Sequence, residues 1–192
     1  MITEIINQIE ASMKIKSDML RDDEIIAKIE NLSKACLKSI RLGNKIIFAG
    51  NGGSFGDAQH LSAEFTSRFM FDRPPLASIV LGANSSAISA IGNDYGFDQI
   101  FARELLGIAK AGDVFIPIST SAKSPNILMA VDEAKQIGLN TTALTGQSGG
   151  ELNEVCNCIR VPSKETARIQ ECHILIGHII CGIVEKNYFE KY

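Results

Sequence analysis

The chain has 192 residues, 45% of them hydrophobic and 21% charged, with a formal net charge of −3. That length holds one domain with a full hydrophobic core, and the composition is that of a globular protein. So weak an acidic balance offers no broad attraction for nucleic acid or an anionic membrane surface. Five cysteines, Cys36, Cys156, Cys158, Cys172 and Cys181, are odd in number and fall inside apolar runs, so reduced thiols are expected rather than a disulfide framework. The pair Cys156 and Cys158 lacks the two-residue gap of a zinc knuckle and reads as small strand residues. The opening "MITEIINQIEASMKIK" is too charged for a signal peptide. The run "ILIGHIICGIV" is broken by His178 and too short to span a bilayer, so a cytoplasmic location is expected.

In chain order, Ile2, Ile5, Ile6, Ile9 and Met13 recur at helical spacing. Ile25, Ile26, Ile29, Leu32, Cys36, Leu37 and Ile40 repeat the pattern, with Asp22 and Asp23 as caps between the two stretches. Residues 1–43 are therefore predicted to form a helical hairpin whose apolar stripe is covered by the rest of the domain or by another copy. From Lys45 the pattern changes to short apolar runs, "KIIFAG", "LASIVLG", "DVFIPIS", "NTTALTG" and "CNCIRV", separated by helical segments. Strands that are apolar throughout imply a parallel sheet with both faces covered, here of about five strands. Pro117 lies in what should be a central strand, where it lacks a ladder donor, and marks either a bulge or the strand end. Thr166 or Ser163 is the expected cap of a long closing helix.

Ligands of open parallel sheets bind beyond the carboxyl ends of the strands, so the strand-to-helix turns are where candidate residues are sought. In "GNGGSFGDAQHLSAEF" a glycine turn runs into a helix carrying His60 and Glu64 on one face, as metal binding or proton transfer requires. A solvated polar face fits that spacing as well. The turn is not the G-x-G-x-x-G fingerprint, and "LGANSS" after the second strand lacks the acidic residue that would hold a ribose, which disfavours NAD. Asn51, Gly52 and Gly53 read either as donors to a sugar or phosphate or as a structural tight turn. In "STSAKSPN" the hydroxyls of Ser119, Thr120, Ser121 and Ser124 crowd a helix N-terminus, the composition of a phosphate site. A cap at Ser124 would need only one of them. Asn93 and Asp94 precede Gly96 in an expected turn and fit an Asx turn or helix cap equally well. His173 and His178 stand in an apolar context, where a core histidine is the default. Gln170 and His178 are eight residues apart, about 12 Å along a helix, a long reach for one compact metal site. Different chains are expected to supply them.

Four segments, "GNGGSFGDAQHLSAEF", "IGNDYGF", "ISTSAKSPN" and "ARIQECHILIGHIIC", stand together in an order that resembles the phosphoheptose isomerases of the SIS (sugar isomerase) superfamily. The resemblance covers essentially the whole chain. It implies an α/β fold, a three-layer α/β/α sandwich of flavodoxin-like type, in one domain over 1–192 with the hairpin used in oligomerisation. It also implies a homotetramer with shared active sites, a small phosphosugar substrate, and one zinc per subunit bound by His60, Glu64, Gln170 and His178. Substrate binding is implied for Asn51, Gly52, Gly53, Glu64, Asn93, Asp94, Ser119, Thr120, Ser121, Ser124 and Gln170. Two positions depart from the pattern. Ala122 replaces a glycine, and is strained if that position needs positive φ; Pro117 replaces another glycine in the strand before it.

The implied reaction is aldose–ketose isomerisation of sedoheptulose 7-phosphate to D-glycero-D-manno-heptose 7-phosphate through a cis-enediol, at the start of ADP- or GDP-heptose synthesis for lipopolysaccharide or capsule. It needs a base, an acid and stabilisation of oxyanion charge. Glu64 and His178 are the expected catalytic pair, moving protons at carbon and oxygen respectively. The alternative is a non-catalytic SIS-domain sensor of phosphosugars or a partner-binding protein, because a shared fold does not fix an activity.

Overall fold

The computed structural model describes residues 1–190. The expected hairpin comprises α1 (Ile2–Leu20) and α2 (Asp23–Arg41), and Asp22 caps α2 by accepting from the N–H groups of Glu24 and Ile25. Helix α2 buries Ile25, Ile29, Leu32, Cys36 and Ile40, whereas Ile26 is exposed because it lies a hundred degrees round from Ile25. Helix α1 buries only Met19 and leaves Ile2, Ile5, Ile6, Ile9 and Met13 to solvent. Chain order continues β1 (Ile46–Gly50), α3 (Gly53–Thr66), β2 (Ser78–Val80), α4 (Ser85–Tyr95), a 3-10 turn (Phe97–Gln99), α5 (Ile100–Ile108) and β3 (Val114–Ser119). It closes with α6 (Pro125–Ile137), β4 (Asn140–Thr145), α7 (Leu152–Val155), β5 (Asn157–Arg160) and α8 (Thr166–Phe189).

All five strands are parallel, in the order β2-β1-β3-β4-β5. That is the flavodoxin-like order, whose switch point lies between β1 and β3. Side chains alternate across the sheet. Ile46, Phe48, Val114, Ile116 and Ile118 join the core beneath α2, α3 and α8, while Ile47, Ala49, Phe115 and Ala143 join the core beneath α5 and α6. Both faces are dry, which explains why the strands read as continuous apolar runs.

Pro117 marks neither a bulge nor a strand end. Strand β3 runs through it to Ser119, and Phe115 opposite Thr141 and Ile118 opposite Leu144 keep one register. The pairing with β4 lapses only at Ile116 and Pro117, where the imino acid has no N–H to give. Neither Thr166 nor Ser163 caps α8. Thr166 is its first residue, Glu165 precedes it without a side-chain cap, and Ser163 Oγ accepts from the Glu165 N–H at 3.1 Å.

The apolar run around His178 belongs to a helix of 24 residues, long and apolar enough by length and composition to cross a bilayer. Its surroundings make it a core helix: Ile169, Cys172, Ile176, Ile180 and Val184 pack in the same core as β1 and β3. His173 on this helix is fully buried, with Nε2 donating to the Thr145 carbonyl at 3.1 Å in the neutral tautomer. Burial pushes its pKa from 6.5 down to about 4, against the pull of that carbonyl. The unfolded chain therefore takes up a proton that the folded chain refuses between those two values. The His173 contribution is complete above about pH 6.5 and is lost as pH falls towards 4, by roughly 3 kcal/mol. Urea unfolding at several pH values checks this: His173→Gln, which does not titrate, should show a flatter decline than wild type over that interval.

Candidate active site

Helix α3 starts at the carboxyl end of β1 because Gly52 takes a positive φ of 54° and turns the chain sharply into the helix. From that start His60 and Glu64 fall one helical turn apart, and His60 Nε2 lies 3.2 Å from Glu64 Oε1. Helix α8 packs across α3 at Gly177. A Cβ there would overlap the Leu61 side chain, with Leu61 Cγ at 2.9 Å. This close approach brings the next residue, His178, to the pair: its Nε2 is 2.8 Å from His60 Nε2. Phe69 stacks on the His178 ring with centroids 5.5 Å apart and planes tilted by 22°.

Among the described residues, His60, Glu64 and His178 offer two ring nitrogens and a carboxylate oxygen within 4.8 Å of one another. Two imidazoles and one carboxylate form a donor set suited to catalytic zinc, which leaves a position open. The pair of nitrogens would need to part to roughly 3.3 Å to share a tetrahedral ion. The side chains of His60 and Glu64 are 49% and 20% exposed, so a small molecule can reach the trio. Gln170 does not join it. Its amide lies at the start of α3, where a Cβ on Gly53 would stand 2.5 Å from Gln170 Nε2.

The hydroxyl loop closes the other side of the β1/β3 switch point. Ser124 is the N-cap residue of α6, yet its side chain makes no capping bond, and its Oγ lies 3.3 Å from Ser119 Oγ. The extra hydroxyls are thus not needed by the helix. Ser119 Oγ also accepts from the Ala122 N–H, while Ser121 and Lys123 are exposed. Ala122 has φ 55°, the one non-glycine residue with positive φ among those described, and its methyl is buried. The strain expected at this departure is real, at about 1–2 kcal/mol for a left-handed alanine.

Asn51 is fixed by a residue that the sequence reading missed. It exchanges two amide hydrogen bonds of 2.9 Å with Asn126, itself buried in the first turn of α6. The tie spans the switch point. Asp57 was missed as well: one turn before His60, its Oδ2 is buried without a partner, and burial raises its pKa while His60 opposes that shift. Its position in the same quoted motif, three residues from His60, was the available signal. Asn93 and Asp94 are not in a turn. They occupy the last turn of α4, where Asn93 Nδ2 donates to Asp94 Oδ1 at 2.7 Å, and they line an open groove with Ser85, Ser86, Ser89 and Ala90. None of the other candidate residues lines that groove. A cleft of about 190 Å³ beside Asn51 and Gly52 is walled by Phe55, Ile88, Phe97, Ile100 and Phe101. A hollow of about 500 Å³ at the amino ends of β4 and β5 contains none of the candidate residues.

Replacing Gly177 by Ala should lower stability by about 1–3 kcal/mol in urea unfolding, through overpacking against Leu61. The same change should displace His178 from His60, read as a change in the NMR resonances of both rings.

The SIS domain family matches residues 9–146. Relatives extend the match over the whole chain: the phosphoheptose isomerase of Burkholderia pseudomallei is 46% identical over 191 residues, 99% of this chain and 97% of that one. Phosphoheptose isomerase 2 of Campylobacter jejuni is 52% identical over 181 residues, 94% of this chain and 90% of that one. Among solved structures, a phosphoheptose isomerase from Francisella tularensis superposes with a TM-score of 0.91 at 36% identity, covering 96% of this chain and 98% of that one. The chain belongs to the phosphoheptose isomerase family of SIS-domain proteins.

Proposed function

We infer that this chain interconverts sedoheptulose 7-phosphate and D-glycero-D-manno-heptose 7-phosphate, an aldose–ketose isomerisation in heptose precursor synthesis. The observation that carries the reading is the convergence of His60 and Glu64 of α3 with His178 of α8, in a chain whose relatives are named for that reaction. A sensor or partner-binding protein would have no need of two imidazoles and a carboxylate within 4.8 Å of one another, so the non-catalytic reading is not favoured.

The reaction moves a proton between C1 and C2 and another between the two oxygens. Glu64 is the group for the carbon-bound proton. Its Oε1 turns towards His60, which leaves the second carboxylate oxygen to act as base and then as acid. His178, held in place by the Phe69 ring, serves the oxygen side. The hydroxyls of Ser119, Thr120, Ser121 and Ser124 hold the phosphate with the open N-terminus of α6, and Asn51, Gly52 and Gly53 hold the sugar end. Asn93 and Asp94 line a separate groove on α4, so their part in sugar binding would require α4 to approach the site when substrate is bound. Gln170, beside Gly53, adds an amide to the same contacts.

Zinc belongs to this reading as a proposal: His60, Glu64 and His178 would hold it, and when bound it would polarise the substrate oxygens. Gln170 as a fourth donor calls for Gln170 of a second copy, which joins the metal question to assembly. The exposed isoleucines of α1 support a homotetramer built on the hairpin, since a continuous apolar stripe is rarely left to water.

Incubation of the purified protein with sedoheptulose 7-phosphate should yield the aldoheptose 7-phosphate signal by NMR, abolished by a chelator and restored by zinc. Glu64→Gln should lose at least about 100-fold in turnover while melting as wild type does. A fully active Glu64→Gln protein would remove Glu64 from the chemistry, and binding without turnover in wild type would overturn the isomerase reading. For assembly, Ile5→Glu together with Ile9→Glu should convert a tetramer to a smaller species by light scattering; an unchanged mass would place the subunit contact elsewhere.

A further inference from the structure

The segment after α3, residues 67–73, has no regular secondary structure, yet it carries Phe69, whose ring stacks on His178. An irregular stretch can hold a ring in place only if its backbone is tied down. The tie is a buried ion pair between Arg73 and Glu185, whose side chains are 2% and 1% exposed. Arg73 Nε donates to Glu185 Oε1 at 2.9 Å. One terminal nitrogen of the guanidinium donates to the carbonyls of Phe65, Ser67 and Pro74, and the other donates to the carbonyl of Glu64 at 2.7 Å. Glu185 in turn accepts from the Phe69 N–H at 2.9 Å and the Met70 N–H at 2.7 Å.

These contacts fall on particular atoms. Glu64 and Phe65 belong to the last turn of α3, whose carbonyls have no intrahelical partner, so the guanidinium completes the end of the helix at Glu64 itself. Glu185 is seven residues beyond His178 on α8, two turns along the same helix. The pair therefore bridges the helix that carries His60 and Glu64 to the helix that carries His178, and it pins the loop whose ring rests on His178. Burial works against ionisation of Glu185, but the Met70 and Phe69 N–H groups and Arg73 outweigh it and hold the carboxyl below its usual value. Stability alone does not require such a pair, since apolar side chains of similar volume commonly serve as well.

We propose that Arg73 and Glu185 are positioning residues for the isomerisation, a clamp that sets Glu64 and the Phe69-stacked His178 ring relative to one another. The kinetic part of this proposal rests on the isomerase reading above; the geometric part does not. Both side chains are buried, so neither is placed to meet a small molecule directly. Their effect on catalysis runs through the two groups they orient.

The test uses full-length protein labelled with ¹³C in its histidines, of which the chain has three. Phe69→Leu defines where the His178 ring resonance falls without the neighbouring ring current. In Glu185→Gln and in Arg73→Lys, the His178 resonance should move most of the way to that position while the buried His173 resonance stays. Turnover should fall about 100-fold, with KM changed less than about twofold. If a single variant does not fold, the double apolar replacement Arg73→Met/Glu185→Leu should restore folding and still show the displaced His178 resonance. A wild-type His178 resonance together with wild-type turnover in the folded variants, with only the melting temperature lowered, would overturn the clamp. If wild type itself lacks isomerase activity, the isomerase reading fails while the resonance still decides the geometry.

Discussion

The contact between α3 and α8 is the constraint on which the rest of the site depends. Each helix carries part of the donor cluster and neither carries all of it. Two residues of α3 supply an imidazole and a carboxylate, and one residue of α8 supplies the second imidazole. The absent side chain at Gly177 lets the helices meet so closely that His178 reaches His60, and the methyls of Leu61 fill the space that a larger residue would need. Both helices also shield one face of the sheet, with Leu61, Ile176 and Ile180 in the core that contains Phe48 and Ile116. The meeting of the two imidazoles with the carboxylate and the packing of this core are thus one arrangement. A change that loosens the core on this face should also be felt at the histidines.

A second constraint acts across the sheet's switch point. Strands β1 and β3 are neighbours, so their carboxyl-end loops open side by side, and the reciprocal amide bonds of Asn51 and Asn126 keep the two loops at a set distance. The hydroxyl loop bears local strain at Ala122 because its turn needs a left-handed residue. That cost is offset by burial of the alanine methyl in the opposite core. Backbone strain of this kind persists only where the surrounding structure holds it in place.

The hairpin behaves differently from the rest of the chain. Helix α2 directs its apolar face into the domain core, whereas Ile2, Ile5, Ile6 and Ile9 of α1 are exposed among the described residues and only Ile15 and Met19 of that helix reach the core. The same helical periodicity in the sequence thus has two destinations, one inside the domain and one at its surface. Arg168 reaches back to the carbonyl of Gln8 and ties α1 to the start of α8, so the exposed stripe is presented at a defined angle rather than on a loose arm.

Much of this was legible in the sequence because it follows from local rules. Apolar runs between amphipathic segments imply a covered parallel sheet, the glycine turn and the hydroxyl cluster mark strand-to-helix junctions, and the spacing of His60 and Glu64 puts them on one face of the helix that follows. Pro117 misled as a local signal, since a ladder can omit one donor and keep its register when the strand is held on both sides. Asn93 and Asp94 misled for a similar reason: Gly96 ends a helix rather than forming a turn around them. Three things belonged to the tertiary structure alone. Of two histidines on α8, one is a core residue bonded to a carbonyl and the other meets His60, a distinction set by which face of the helix packs on α3. Gln170 lies against Gly53, a contact only folding could set, whereas its separation from His178 by two turns of helix was legible in the spacing. The partnerships of Asn51 with Asn126 and of Arg73 with Glu185 join residues 75 and 112 positions apart. The sequence by itself determined the elements and the chemical groups at their ends, because these depend on near neighbours; only folding decided which groups meet, because that depends on how distant helices pack.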